Sequence, residues 1–163
     1  MKFILQLKYQ SNNLPIIEIK DEEKNLKYKV STKVNDWGLC YKIALPSGED
    51  VGCIKEYCRS TKPPEVYVEG KMIGEITFRD NFIGGESKIE AFNWEIKMER
   101  TLFKTVYIIF NQDHQLVRIT KIPFAFHRTY SIESKLDTLN ENIMALSICV
   151  DIALAESEKV TGD

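Results

Sequence analysis

The sequence predicts a mainly β chain, a closed barrel of about twelve antiparallel strands enclosing a C-terminal hydrophobic α-helix, and three observations carry that expectation. Apolar and polar residues alternate with a period of two along much of the chain. Clusters of Gly, Pro, Asn and Asp separate these runs at short intervals. Near the end, the stretch from Ile143 to Ala155 contains only Ser147 and Asp151 as polar residues.

In order along the chain, Phe3, Leu5, Leu7 and Tyr9 alternate with Lys2, Gln6 and Lys8, so a first strand over about 2–9 sends one set to each face. Leu26, Tyr28 and Val30 alternate with Lys27, Lys29 and Ser31, and Trp94, Ile96 and Met98 alternate with Glu95, Lys97 and Glu99. Further strands are expected at about 14–20, 36–45, 51–58, 64–69, 71–79, 86–92, 102–111, 115–122 and 127–133. Between them lie turn signals at Asp21–Asn25, Pro46–Asp50, Glu69–Lys71, Gly84-Gly85 and Asn111–His114. These residues supply the backbone angles of tight reversals, and their spacing favours hairpins in series over βαβ crossovers.

The apolar stretch Ile143–Ala155 spans only about 20 Å as a helix, against a hydrocarbon core of roughly 30 Å, so it is too short to cross a bilayer. Apolar residues run nearly all round it, which marks a helix enclosed by other elements. A start capped by Asp137 or Thr138, with Glu141 at the positive end of the dipole, gives a helix over about 139–156. Small residues such as Ala145, Ser147 and Ala153 keep it thin. Asp151 is read either as lying near a barrel mouth or bonded to a backbone donor, or as a polar site in the lumen.

Residues 1–156 are thus expected to form one domain, followed by a polar, disordered tail over 157–163. A net charge of −2 gives no overall attraction to nucleic acid or acidic lipid, so any attraction to anions has to be local. The opening MKFILQLKYQ lacks the apolar core of a signal peptide, and no transmembrane segment is expected, which predicts a cytoplasmic protein. Cys40, Cys53, Cys58 and Cys149 lack the paired spacing of a zinc site and are read as reduced core thiols. Neither metal nor cofactor is expected.

Catalytic signatures are absent from the sequence. His114 lies in a turn signal and His127 precedes Arg128 at a strand start, and neither sits in a GxSxG, HExxH or Cys/His pattern. Asp21-Glu22-Glu23 reads as a solvated turn. Gly84-Gly85 lacks the Lys-Ser or Lys-Thr of a phosphate loop and precedes a strand. The expectation is a non-catalytic protein.

Three segments, "PEVYVEGKMIGEITF", "NWEIKMERTLFKTVYIIFNQDHQLVRITKI" and "HRTYSIES", together with the terminal apolar stretch, carry a likeness to a known family. The chain resembles the LURP-one-related (YxjI-like) proteins of the tubby C-terminal-domain-like superfamily, to which the phospholipid scramblases also look related. The most telling part is the hairpin "VYIIFNQDHQLVRITKI", followed by Phe124 and Phe126, a short strand with Tyr130, and the helix. The resemblance implies a tubby-like barrel with a central helix and a binding module for anionic phospholipid or phosphoinositide head groups on the barrel exterior. It implies a cytoplasmic protein peripheral to a membrane. The cysteine-rich acylation segment of the scramblases is missing, and the head-group residues of the tubby domains do not align onto this chain.

On the residues themselves, Lys27, Lys29 and Lys33 of "LKYKVSTK" project from the face opposite Leu26, Tyr28 and Val30, with the first pair roughly 7 Å apart. They are the candidate lipid- or anion-binding residues. The alternative is a protein–protein interaction or structural module, for which Trp37, Tyr57 and Tyr67 are candidate exposed aromatics. The sequence sets no oligomeric state.

Overall fold

Alternation in the sequence becomes pleat in the fold. The computed structural model describes residues 2–9, 11, 14–57, 62–80, 87–91, 94–100, 105–123, 128–136, 142–143, 145–147 and 150. The strands in chain order are β1 (Lys2–Tyr9), β2 (Pro15–Asp21), β3 (Leu26–Asn35), β4 (Gly38–Ala44), β5 (Asp50–Tyr57) and β6 (Glu65–Val68). They continue with β7 (Lys71–Asp80), β8 (Ser87–Ala91), β9 (Trp94–Arg100), β10 (Thr105–Asn111), β11 (His114–Ile122) and β12 (Arg128–Ser134).

Each strand pairs antiparallel with its neighbours in sequence, and β1 pairs with β2 on one side and β12 on the other, Phe3 facing both Asp21 and Ile132. Because every link joins neighbours, the connections from odd to even strands leave from one rim of the sheet. Those from even to odd strands leave from the other. The first rim carries Tyr9, Asn35–Gly38, Tyr57 and Ile122; the second carries Asp21–Asn25, Leu45–Glu49, Glu69-Gly70 and Gln112-Asp113.

The turn chemistry explains the short links. Glu69 (φ 50°) and Gly70 (φ 79°) are both left-handed between the paired residues Val68 and Lys71, the geometry that matches a tight hairpin to strand twist. Asp21 accepts the backbone N–H of Asn25 at 2.8 Å through its side chain and so holds the β2–β3 reversal.

One face of the sheet is buried in a single apolar cluster, to which, among the described residues, eleven of the strands contribute, from Leu5 in β1 through Ile54 in β5 to Ile132 in β12. A sheet whose apolar face packs into one shared cluster has to curl round it. Each fully buried aliphatic side chain contributes about 1.5–3 kcal/mol relative to exposure, so this cluster supplies the main driving force.

The expected fold class is corrected here. The chain is mainly β, an antiparallel sheet, and among the described residues there is almost no helix, so the structure does not show a barrel enclosing a helix. Of the segment expected to be helical over about 139–156, only Asn142, Ile143, Ala145, Leu146, Ser147 and Val150 have described helical backbone; Asp151 and the tail over 157–163 lie outside the described residues. Ile143, Leu146 and Val150 are buried and join the apolar cluster, and Ser147 Oγ donates to the Ile143 carbonyl at 2.7 Å. The apolar run that predicted a central helix is thus read correctly for burial at these positions and wrongly as an architectural element. Hydrophobic character all round a segment reports that it is enclosed, not by what.

Where this segment meets the sheet, space is tight. A Cβ on Gly52 of β5 would stand 2.9 Å from the Tyr67 carbonyl oxygen and 3.3 Å from the Ile143 methyl group. Gly52→Ala should therefore lower stability by about 1–3 kcal/mol, read as a reduced urea midpoint with an unchanged slope. An unchanged midpoint would show that Ile143 does not pack on β5 as described.

Candidate ligand-binding face

The second, solvent-facing set of residues on β3 to β6 forms an ordered array. Register pairs Ser31 with Lys42, Lys42 with Cys53, and Cys53 with Tyr67, giving one row across four strands. The next row runs Lys33, Cys40, Lys55 and Glu65. A two-residue register offset thus interleaves lysines, thiols, an aromatic ring and a carboxylate on one surface.

Of the residues predicted from sequence, Lys27, Lys29 and Lys33 are all exposed on this face, while Tyr28 and Val30 point into the core. They do not form one cluster. Lys27 lies towards the second rim, where its ammonium is 3.5 Å from Asp21. Lys33 lies towards the first rim, six residues away, or roughly 20 Å along the strand. Lys42, beside Ser31, stands diagonally to both Lys29 and Lys33 at roughly 7–8 Å, so these three form a triangle. Among the described residues, no acidic group lies within ion-pair distance of Lys29 or Lys33; Lys42 has an exposed partner in Asp50 at 3.8 Å, a pair that contributes little.

The three aromatics predicted separately come together. The Trp37 and Tyr57 rings are 5.2 Å apart at 45°, and Lys55 Nζ stands 4.3 Å from the Tyr67 ring centre and 5.6 Å from that of Trp37. Lys62 Nζ is 4.7 Å from the Tyr57 ring and 3.3 Å from Glu65. Gly38, paired with Tyr57, has no side chain to compete with the Trp37 ring.

Glu65 holds this group. It is only 4% exposed, although it belongs to the solvent-facing row, because Tyr57 and Tyr67 close over it. Both hydroxyls donate to Glu65 Oε1, that of Tyr67 at 3.2 Å, and Lys62 donates to the other oxygen. The Tyr57 hydroxyl bond, with Lys62 and Tyr67 adding to it against burial, keeps the Glu65 carboxyl below its usual value of 4.5. The same bond pushes the Tyr57 hydroxyl well above the usual tyrosine range.

Beside the cluster lies an open cavity of about 250 Å³ with Cys53 and Gly52 among its lining residues, bordered by Lys42, Lys55 and Tyr67 and by the carboxylates of Asp50 and Glu69. Burial, with the neighbouring Cys40 thiol next, pushes the Cys53 thiol up to about 11, so at neutral pH it is a protonated, weak nucleophile. The expectation that the thiols fill the core needs adjustment: Cys40 is buried and Cys53 half-buried, yet both stand in the solvent-facing rows, shielded by lysine stems and Tyr67. Cys58, Cys149 and His127 lie outside the described residues, and His114 is exposed at the far turn between β10 and β11. Among the described residues, no group of three or more His, Cys, Asp or Glu is placed to hold a metal ion. No described helix is long and apolar enough to cross a membrane.

Lys42, Lys55 and Glu65 were not among the residues the sequence singled out. The signal was present: a two-residue Asp36-Trp37 link pairs Asn35 with Gly38, and counting back from it sets Lys33 against Cys40 and Ser31 against Lys42. Compared with protein families, with curated proteins and with solved structures, the chain matches none.

The Glu65 network makes a pH prediction. A carboxyl whose folded value is lowered contributes stability that is complete above the unfolded value of 4.5 and is lost as pH falls through the lower folded value. Urea midpoints should therefore fall on acidification through that window. Glu65→Gln should remove this part of the slope and cost stability at neutral pH as well; an identical acid slope in both proteins would mean Glu65 is not held as described.

Proposed function

We propose that the protein is a non-catalytic binding module whose β3–β5 face takes anionic phospholipid head groups. The observation that supports this reading is the triangle of Lys29, Lys33 and Lys42 on adjacent strands, two of them without an ion-pair partner among the described residues; Glu18, which stands opposite Lys29, is engaged by Lys8 and Lys20. Lys42 stands one diagonal from each of Lys29 and Lys33, which are themselves roughly 13 Å apart along β3, a spread that suits a head group with more than one anionic group better than a single carboxylate. The resemblance of the "VYIIFNQDHQLVRITKI" hairpin to the LURP-one-related proteins points the same way.

The chemistry of the face favours binding over turnover. A protonated Cys53 and a Glu65 engaged by three donors offer neither an activated nucleophile nor a free general base. The alternative reading, a protein-binding or structural module, draws on the partly exposed Trp37 beside Tyr57.

The test is co-sedimentation with phosphatidylcholine vesicles with and without phosphatidylserine or a phosphoinositide. Each basic residue near an anionic surface contributes about 1 kcal/mol, so Lys29→Ser, Lys33→Ser and Lys42→Ser together should weaken binding by about two orders of magnitude at low salt. Lys27→Ser should change it little, since Asp21 already faces that ammonium. Melting curves of the variants should match the wild type. Wild-type protein that ignores anionic vesicles at low salt would refute the reading, and a triple variant that binds undiminished would remove it from this face.

A further inference from the structure

We infer that the first rim, along β11, β12, β1, β2, β3 and β4, is the edge by which the protein inserts into an anionic bilayer surface, with Tyr9, Val34, Trp37 and Ile122 entering the interfacial layer. This rests on the lipid reading above and adds to it an apolar contact and an orientation.

The first observation is where four of the six exposed large apolar side chains among the described residues fall, Met72 and Ile73 of β7 being the other two. Tyr9 is 49% exposed, Val34 60%, Trp37 37% and Ile122 37%. All four lie at the first rim, on β11, β1, β3 and the β3–β4 link, within the run β11, β12, β1, β2, β3, β4 of the pairing order. Five inter-strand steps separate Ile122 from Trp37, a front roughly 24 Å long. Tyr9 and Val34 belong to the inward alternation of β1 and β3, in line with the buried Leu7 and Thr32, so the apolar phase simply continues past the edge of the core into solvent. The exposed Val34 and Trp37 flank one tight hairpin, and a Trp and a Tyr, apolar in body with a polar tip, are the side chains that settle at a bilayer interface.

The second observation is charge. Close to the first rim on these strands stand Lys8, Lys33, Lys121 and Arg128, with Asp36 and the Lys8-paired Glu18 as acids. At the second rim the exposed turns and strand ends carry Glu22, Glu23, Glu49, Asp50, Glu69 and Asp113 against Lys2, Lys24 and Lys71. The first rim on these strands thus carries a modest excess of bases and the second a modest excess of acids, and the basic excess coincides with four of the six exposed large apolar side chains among the described residues. An anionic membrane matches both properties at once, and the acidic rim is held away from it. A protein partner would need an acidic, apolar groove that fits a front of this length.

The experiment uses the full chain and its own tryptophans. Trp94 is buried at 6% exposure, so quenching by bromine on lipid acyl chains reports Trp37, and Trp37→Phe serves as the blank. With phosphatidylcholine/phosphatidylserine vesicles, wild-type emission should shift to the blue and be quenched, and Trp37→Phe should lose most of that quenching. At high salt, where head-group attraction is screened, Tyr9→Ser with Val34→Ser should lower partitioning by about tenfold or more while leaving the melting curve unchanged. Anionic vesicles bound without Trp37 quenching would overturn this inference and leave the head-group reading standing. No binding at all would remove both. A concentration-dependent dimer that shields Trp37 from aqueous iodide, with no change on adding vesicles, would assign the rim to protein association and overturn it as well.

Discussion

The rest of the structure depends on the shared apolar core that the curled sheet forms with its own inner face. Side chains alternate between faces with a period of two, so committing Leu5, Ile17, Val30, Ile43 and Ile54 to one cluster commits their neighbours to solvent. A slip of one residue in any pair would turn an entire strand inside out. Register is consequently as firmly held on the outer face as on the inner one, and a surface array such as Lys33, Cys40, Lys55 and Glu65 acquires its order from packing it takes no part in.

Glu65 shows how that order is exploited locally. A carboxylate shielded from water is costly unless its oxygens are satisfied, and here two tyrosine hydroxyls and an ammonium do so on the outer face of a four-residue strand. The same contacts anchor Tyr57 and Tyr67, which in turn seat Trp37 and Lys55. One buried charge thus stiffens a surface patch that would otherwise be four long side chains free to rotate. Among the described residues, Lys29 and Lys33 of β3 have no such anchor.

Strand positions were legible because two signals coincide, alternation within strands and turn residues between them. Val30 is buried and Lys29 exposed, as their places in the alternation require. The alternation misleads at the rims: Tyr9 and Val34 carry the inward phase yet stand in solvent, since phase says which way a side chain points and not whether anything covers it. The C-terminal apolar run was read as a central helix, and almost no helix is present among the described residues. The candidate lysines lie on the outer face as their alternation requires, but Lys27 faces Asp21 and Lys42 stands beside Lys29 and Lys33, because spacing along one strand is visible in a sequence and neighbours across strands are not.

By itself, the sequence determined the strand succession, the inner and outer faces, the burial of Ile143 and Leu146, and the exposure of Lys27, Lys29 and Lys33. These follow from local chemistry with a period of two residues, which needs no knowledge of partners. Tertiary structure alone decided that Lys27 faces Asp21 while Lys42 joins Lys29 and Lys33, and that Trp37, Tyr57 and Tyr67 meet around Lys55 and Glu65. Those contacts are set by inter-strand register, which bulges such as the one between Ile43 and Ala44 shift by a residue, and by curvature that brings hairpins distant in sequence to a common rim.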